Sequence, residues 1–303
     1  MKSPALLPEL ADLVALRGAA HGLSLHARQA ALAQLQGGHR SAERGRGLEF
    51  EEVRLYAPGD DARSIDWRVT ARRGKPHSKL FRDERERPVW IIADLHAGLF
   101  FGSRRQLKSA LLLNAAALFG WAGSLSGERV GAVIGDGAAA PRIFPPRGRE
   151  AGLLPILGAL AQAQPRAPGA PAGPGLAAAL ALLRPLLQTG SLVLLFSDFS
   201  ALDRQAEDLL GSIAERNDCR LLWITDPLER SGLPAGAHRV GLPGRLWWMD
   251  GERSRAAWQT AWNGREQALT ALAGRLNLPL LRLDTSDAAD TLADLLRQPL
   301  WAA

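Results

Sequence analysis

The stretch PVWIIAD, residues 88–94, decides the fold class of this chain. A short run of β-branched and aromatic residues that ends on a polar residue is typical of a strand buried on both faces. Four similar runs follow: RVGAVIGD (129–136), SLVLLFSD (191–198), CRLLWITD (219–226) and LPLLRLD (278–284). Each run ends in an aspartate, and these are Asp94, Asp136, Asp198, Asp226 and Asp284.

Helical patterns separate these strands. The clearest is expected to begin at Ser103, because Ser103 and Gln106 have the spacing of a capping box and apolar residues follow at helical intervals. Further helices are expected around residues 151–162, 176–188, 203–216, 255–276 and 287–297. The alternation predicts an α/β domain over residues 88–303, with a doubly wound, mostly parallel sheet.

Residues 1–87 are expected to form an N-terminal helical segment and a charged segment with a small β element. The charged segment, Glu43–Arg87, holds 12 basic and 10 acidic residues, so its net charge is only +2. Two short strands are expected, near 49–56 and 78–85, around a loop that carries the residues Asp60, Asp61, Arg63, Asp66 and Trp67. Because the signs balance, we expect internal ion pairs or a partner of mixed charge, and not a phosphate-neutralising tail.

The whole chain has a net charge of +6 and a pI near 10.3. This permits contact with nucleic acid, an anionic membrane or an acidic protein, and selects none of them. The single cysteine, Cys219, opens an apolar run and is expected to be a buried thiol. No apolar stretch approaches the roughly 18 residues of a membrane span, and the first residues lack the pattern of a secretory signal. The chain is therefore expected to be cytoplasmic.

The aspartates at the strand ends suggest a ligand site, because open α/β sheets bind ligands beyond the carboxyl ends of their strands. The alternative is that they cap the following helices, as expected for Asp226 and for the segment DTSD that begins at Asp284. Asp94 and Asp198 are expected on neighbouring strands. With His96 they would offer two carboxylates and an imidazole to a divalent metal, whereas a packing or solvent-exposed histidine is the alternative.

Two further features allow two interpretations each. The prolines at 165, 168, 171 and 174 have the spacing of one face of a polyproline II segment, and favour a stiff spacer over a recognition surface. The tryptophans Trp247, Trp248, Trp258 and Trp262 would form an exposed contact patch or pack against the sheet, and packing is favoured. No phosphate-binding loop of the G-x-x-x-x-G-K-[ST] type and no G-x-S-x-G elbow occur.

Residues 38–86 resemble the signature of the domain of unknown function 58 family. The matching positions are Gly45, Gly47, Glu49, Phe50, Arg54, Tyr56, Gly59, Asp60, Asp61, Arg63, Ile65, Asp66, Trp67, Ala71, Arg72 and Glu84. The resemblance implies that the α/β domain is similar to von Willebrand factor type A. That fold often binds a metal through a D-x-S-x-S motif, a threonine and a later aspartate. The corresponding residues here are Asp94, His96, Gly98, Pro174 and Asp198, so the resemblance implies a degenerate site with no cofactor.

The resemblance also implies a partner. Members of the family are commonly associated with MoxR-type AAA+ ATPases and are thought to act as adaptors in protein assembly or maturation. Some members are anchored to membranes by N-terminal helices, which are not expected here. Other von Willebrand factor A-like proteins or membrane proteins are further partners that the family context suggests.

The leading hypothesis is a non-enzymatic adaptor that links such an ATPase to client proteins. Its partner-binding or structural network would comprise Arg54, Tyr56, Gly59, Asp60, Asp61, Arg63, Asp66, Trp67, Arg72 and Glu84, with Tyr56 and Trp67 anchoring it to the core. One alternative is a nucleic-acid-binding protein that uses its arginines, and the balanced charges speak against it. Another is a metal-dependent hydrolase at Asp94, His96 and Asp198.

Overall fold

A computed structural model describes residues 6–23, 25, 48–56, 65–83, 87–171, 173–242, 244–288 and 291–294. The chain divides into two compact units. The first contains Met1–Ala27 and Arg87–Ala303, and the second contains Arg28–Glu86.

The first unit is built on a six-stranded sheet. Its strands are β3 (Val89–Asp94), β4 (Val130–Gly135), β5 (Arg142–Arg147), β6 (Leu192–Ser197), β7 (Asp218–Thr225) and β10 (Leu280–Asp284). They lie in the order β10-β7-β6-β3-β4-β5, and all neighbours are parallel except β4 and β5. The prediction of a doubly wound, mostly parallel sheet is confirmed, as are its five strands.

The antiparallel edge strand β5 was not predicted. Its sequence, RIFPPR, contains two prolines, which cannot donate to a strand ladder and are tolerated at the edge of a sheet. At the centre, every residue of β3 and β6 is buried. Because β3 pairs with β6 in parallel, Asp94 and Asp198 emerge next to each other at the carboxyl edge.

Helices cover the sheet. They are α3 (Lys108–Leu125), α4 (Glu150–Ala163), α5 (Gly175–Leu183), α6 (Arg204–Ala214), α7 (Pro227–Ser231) and α8 (Gly251–Arg275). Residues 291–294 are also helical, and the rest of the helix expected over 287–297 lies outside the described residues or is not helical. The predicted helices are therefore present, with shifted ends.

The expected capping box at Ser103 is wrong. Helix α3 begins at Lys108, with Leu107 at its N-cap. The backbone N–H and hydroxyl of Ser103 donate instead to the carboxylate of Asp226, and the amide of Gln106 donates to the carbonyl of Asp287. Both residues thus tie loops at the carboxyl edge together, which a local sequence pattern does not reveal.

The N-terminal residues pack with the α/β core. Helix α1 (Leu10–Ala15) contributes Leu13, and the following turns contribute Leu23 and Leu25, all buried. The indole N–H of Trp121 on α3 donates to the carbonyl of Leu13 at 3.0 Å. The sequence grouped residues 1–87 together, whereas apolar contacts attach residues 6–23 and 25 to the first unit.

The described part of the second unit is a hairpin with one helix. Strands β1 (Leu48–Leu55) and β2 (His77–Asp83) pair in antiparallel register, which confirms the two strands expected in the charged segment. Between them lies α2 (Trp67–Arg73), where a loop and turn were expected. Gly74 ends this helix in the left-handed region at φ 69°, a conformation that glycine adopts without a steric cost.

A second hairpin belongs to the first unit. Strands β8 (Ala237–Leu242) and β9 (Arg245–Asp250) form a separate two-stranded sheet just before α8. The packing expected for Trp247 and Trp248 is wrong, because their side chains are 48% and 70% exposed. The expectation holds for Trp262 on α8, whose indole is buried and stacks on Trp223 of β7 with ring centroids 5.1 Å apart.

Candidate functional site

A pocket of about 90 Å³ lies at the carboxyl edge of the sheet, beyond β3 and β4. Its lining consists of Asp94, His96, Gly135, Gly137, Ala139, Pro141, Pro171, Gly173, Pro174, Gly175 and Ala201. Asp94 is the carboxylate in this lining, and most of the remaining residues are glycine and proline. The pocket is the position at which doubly wound sheets bind their ligands.

Asp94 sits at the base of the pocket with 8% of its surface exposed. Its Oδ2 accepts a hydrogen bond from the Ser197 hydroxyl at 2.6 Å, and Ser197 Oγ in turn accepts from the backbone N–H of Phe199. Burial raises the pKa of Asp94, and the Ser197 hydrogen bond opposes that effect only in part. A negative charge on Asp94 is therefore costly unless a cation or donor faces it.

His96 is held by Gly98 and Asp198. The backbone N–H of Gly98 donates to Nδ1 at 3.1 Å, so Nδ1 is an acceptor and the ring proton lies on Nε2. That Nε2 faces Oδ1 of Asp198 at 3.3 Å. Both ring nitrogens are thus occupied by internal partners, and the structure shows His96 packed in place and buried, one of the two alternatives considered above.

Asp198 pairs with a buried lysine. Nζ of Lys108, in the first turn of α3, lies 2.7 Å from Asp198 Oδ2 and 2.8 Å from Glu229 Oε1. Burial alone would raise the pKa of Asp198, but the Lys108 charge and the His96 hydrogen bond outweigh it and hold that pKa well below its usual range. Burial alone would lower the pKa of Lys108, but Asp198 and Glu229 outweigh it and raise that pKa.

The backbone around Asp198 is also fixed. Its carbonyl accepts from the indole N–H of Trp223 at 3.2 Å and from the guanidinium of Arg265 at 3.1 Å. The next residue, Phe199, has φ of 52°, which is uncommon for a bulky side chain and marks a strained turn. The surrounding hydrogen bonds therefore hold Asp198 in one position.

The donor atoms of this set do not fit a divalent metal. A metal needs lone pairs directed into open space, whereas Asp198 Oδ2 is in contact with an ammonium group and His96 Nδ1 accepts an N–H. Among the described residues, no group of three or more histidine, cysteine, aspartate or glutamate side chains is arranged to hold a metal ion. Asp94, His96 and Asp198 are brought together as predicted, and their partners are protein groups.

The proline-rich loop closes over this pocket. Pro171, Gly173 and Pro174 line it, so the loop contributes to the pocket wall, and the choice between a stiff spacer and a recognition surface stays a prediction. Gly173 and Gly137 both have positive φ, and a Cβ on Gly173 would lie 2.5 Å from the carbonyl oxygen of Gly137. Glycine at both positions lets the two loops approach closely enough to form the pocket wall. Pro174 lies in the lining beside Asp94.

The other strand-end aspartates accept hydrogen bonds from nearby backbone N–H groups, and Asp226 caps a helix, whereas Asp136 and Asp284 bind within the loops that follow their strands. Asp226 begins α7 with a reciprocal capping box with Glu229, as predicted, and also accepts from Ser103 and Thr285. Asp136, for which the sequence suggested no role, accepts from the N–H groups of Ala138 and Ala139. Asp284 accepts from the backbone and hydroxyl of Ser286.

The network expected in the charged segment is described only in part. Asp66 caps α2, because its Oδ1 accepts from the N–H groups of Arg68 and Val69. Trp67 begins α2 and is 70% exposed, and its predicted role as an anchor stays a prediction. Tyr56 is half-buried and Arg72 is exposed.

The remaining residues of that network lie outside the described part of the chain. They are Gly59, Asp60, Asp61, Arg63 and Glu84, and for Arg54 only the backbone position in β1 is described. The predicted roles of these six residues stay predictions.

Lys108, Glu229 and Ser197 were missed by the sequence analysis. Lys108 carried a signal, because it is the charged residue at the head of the apolar run KSALLLNAAALFGWAGSL, where a buried ammonium needs a carboxylate partner. Glu229 satisfied a capping box and gave no hint of a second contact. Cys219 is buried as expected, and burial raises the pKa of its thiol to about 12.

The fold and the site define an α/β protein with a pocket lined by the carboxylate of Asp94 at the carboxyl edge of its sheet. At the same edge, the buried Lys108 pairs with Asp198. Residues 52–261 match the model of the family described as protein of unknown function DUF58. This is more than half of the chain, and the chain belongs to that family. No described helix is long and apolar enough to cross a membrane.

Relatives and one solved structure are similar to the chain. Uncharacterized proteins of Mycobacterium tuberculosis and Mycobacterium bovis are 35% identical over 226 residues, which is 75% of this chain and 70% of theirs. The crystal structure of an aerotolerance-related membrane protein from Bacteroides fragilis, with multiple mutations to serines, matches with 13% identity and a TM-score of 0.41. That match covers 71% of this chain and 98% of the other.

Proposed function

We propose that this protein is a non-enzymatic adaptor that binds a MoxR-type AAA+ ATPase and links it to client proteins. The family resemblance suggests the ATPase. The observation that carries the proposal is the β8–β9 hairpin, which exposes three consecutive large apolar side chains. Leu246, Trp247 and Trp248 are 52%, 48% and 70% exposed. Exposed tryptophans beside other large apolar side chains are frequent in protein interaction sites.

The geometry of the hairpin favours a partner with a cleft. Adjacent residues of a strand point to opposite faces, so Trp247 and Trp248 present indoles on both sides of the hairpin. Trp248 lies opposite Arg239, and Trp247 lies opposite Val240. A flat partner surface would cover one indole, whereas a cleft that admits the hairpin would bury both.

The state of the strand-end groups is consistent with a binding role. Asp198 and Glu229 are paired with Lys108, and His96 is held by Gly98 and Asp198. A general base needs a free lone pair directed at its substrate. These groups are engaged with each other, so the hydrolase hypothesis gains no support from their arrangement.

The adaptor proposal is tested by co-purification with a MoxR-type ATPase from the same genome, with ATP turnover measured alongside. The double variant Trp247→Ser/Trp248→Ser should weaken binding about tenfold or more, because tryptophans that become buried when a complex forms are frequent hot spots. Leu186→Ser is the matched control, since Leu186 is 45% exposed at another place in the first unit. Unchanged binding by the double variant would remove the hairpin from the proposal, and absence of any complex would reject the ATPase.

The charged segment is tested separately. Reversing the charges of Asp60 and Asp61 should abolish partner binding while the melting temperature holds, if these residues contact the partner. Trp67→Ser is a second arm, because Trp67 is exposed in the same unit. Unfolding of the charge-reversed variant would assign those two aspartates a structural role.

A further inference from the structure

The carboxylate pocket has an unmet electrostatic requirement. Asp94 is 8% exposed, and its Oδ2 is satisfied by Ser197. Among the described residues, its Oδ1 has no hydrogen-bond donor, and the pocket lining contains no lysine or arginine; His96, which also lines the pocket, directs its ring nitrogens to Gly98 and Asp198. A carboxylate in this position is stabilised strongly by a donor or a cation that enters from the pocket.

The chain itself supplies a cation to one of the two strand-end aspartates, Asp198, and none to the other, Asp94, among the described residues. Lys108 neutralises Asp198 and Glu229 from the α3 side. Asp94 lines the pocket, and the carboxylates that Lys108 contacts in the described structure are those of Asp198 and Glu229. Lys108 thus neutralises the charge of Asp198, which a metal ion would otherwise do. The charge of Asp94 would have to be neutralised by a group from outside the described part of the chain.

We propose that the pocket binds a basic side chain, arginine or lysine, of a partner protein, which pairs with Asp94 Oδ1 without a metal ion. The proposal rests on the adaptor role only in naming a protein as the source of the cation. A pocket of about 90 Å³ is of the size of a side-chain tip and not of a nucleotide or a cofactor. Its walls are mostly glycine and proline, which leave room for the charged end of an arginine or lysine side chain.

The test is a titration of the ¹⁵N-labelled full chain with the amides of N-acetyl-arginine, N-acetyl-lysine and N-acetyl-glutamate, in the presence of EDTA. The amide signals of the lining glycines Gly135, Gly137, Gly173 and Gly175 report binding. Saturable shifts with the two basic probes, and none with the glutamate probe, are expected.

Two variants distinguish the contribution of the Asp94 carboxylate to binding from that of the pocket volume. Asp94→Asn should weaken the basic probes about tenfold, since a charge-assisted hydrogen bond is lost, and it should fold because burial disfavours the charge that it removes. Ala201→Leu keeps the carboxylate and fills the pocket mouth, and should also block binding. Asp208→Asn, on the exposed face of α6, is the matched control and should bind as the unmodified chain does.

Several results would overturn the proposal: no saturable shift with either basic probe, equal binding by Asp94→Asn, tighter binding of the glutamate probe, or shifts that require Mg²⁺ in place of EDTA. Because no ATPase is present, failure here leaves the adaptor proposal untouched. Failure of ATPase capture likewise leaves the pocket result intact.

Discussion

Lys108 is the residue on which the carboxyl edge depends most. The residue is 1% exposed, and its ammonium group is held by two carboxylates, those of Asp198 and Glu229. Such a buried pair contributes little net stability compared with apolar residues of the same volume, but the loss of one member is costly because it leaves an unpaired charge. The arrangement therefore fixes the geometry at the end of β6 more than it stabilises the fold.

Lys108→Met is expected to reduce the free energy of unfolding by about 3–5 kcal/mol, because it leaves Asp198 and Glu229 buried without a cation. Chemical denaturation measures the change. Arg105→Met is the control, since Arg105 is exposed just before the helix and its loss should cost less than about 0.5 kcal/mol. Equal stability of the two variants would show that the lysine is not a required partner.

The cost of Lys108→Met should depend on pH. The folded-state pKa of Asp198 is depressed, so its contribution is present above the unfolded value of about 3.9 and is lost as pH falls toward the folded one. The pKa of Lys108 is raised, so its contribution is present below about 10.4 and is lost as pH rises through the folded value. Denaturation at several pH values should therefore show the largest difference from the unmodified chain near neutrality and a smaller one as the pH falls well below 4. A difference that grows as the pH falls would contradict this account.

At the scale of elements, α8 and the β8–β9 hairpin show how one sequence region divides between core and surface. Trp262 faces the sheet and stacks on Trp223, and Trp258 donates its indole N–H to the carbonyl of Glu229. Trp248, a few residues upstream, is exposed. The same residue type therefore serves packing in the helix and a proposed contact in the hairpin.

Trp262→Ala should destabilise the protein by about 3–5 kcal/mol, because it removes a buried ring and leaves a cavity against β7. Trp248→Ala removes an equally large but exposed side chain and should change the stability by less than about 0.5 kcal/mol. Denaturation curves of the two variants provide a matched comparison. A large loss in Trp248→Ala would mean that the hairpin packs against the core.

Helix α2 offers a local test in the second unit. Asp66→Ala removes the side chain that accepts from Arg68 and Val69, and should cost about 1 kcal/mol of local stability. Hydrogen exchange of the amides of Arg68–Arg73 should become about fivefold faster. Asp66→Asn keeps an N-cap acceptor and should change the exchange much less. Identical rates in both variants would show that the cap does not limit the opening of this helix.

At the scale of the whole molecule, the net charge of +6 raises the question of non-specific association with polyanions. The charges along the segment from Glu43 to Arg87 nearly cancel, so recognition through that segment would depend on the arrangement of charges. A weak attraction to DNA at low salt is the physical consequence of the overall charge alone.

We expect binding to a random DNA duplex, followed by fluorescence anisotropy, to disappear between about 50 and 200 mM salt. Binding of the proposed protein partner through the hairpin should persist over the same range, since apolar burial is screened little by salt. Duplex binding that survives at 200 mM salt, with discrimination between sequences, would favour the nucleic-acid hypothesis over the adaptor.

The sequence by itself determined the strands, the winding of the sheet and the placement of Asp94 and Asp198 at the ends of neighbouring strands, because apolar runs and their spacing are local properties that burial imposes on the chain. It also indicated the family, through the spacing of residues 38–86. The edge strand β5, the true start of α3 and the exposure of Trp247 and Trp248 depended on which surfaces meet, and local patterns do not encode that. The tertiary structure alone decided that Lys108, 90 residues before Asp198 in sequence, lies 2.7 Å from it. A buried charge and its partner can be far apart in sequence and are brought together by the fold. Tertiary packing therefore decided that the group facing Asp198 is a lysine of the same chain.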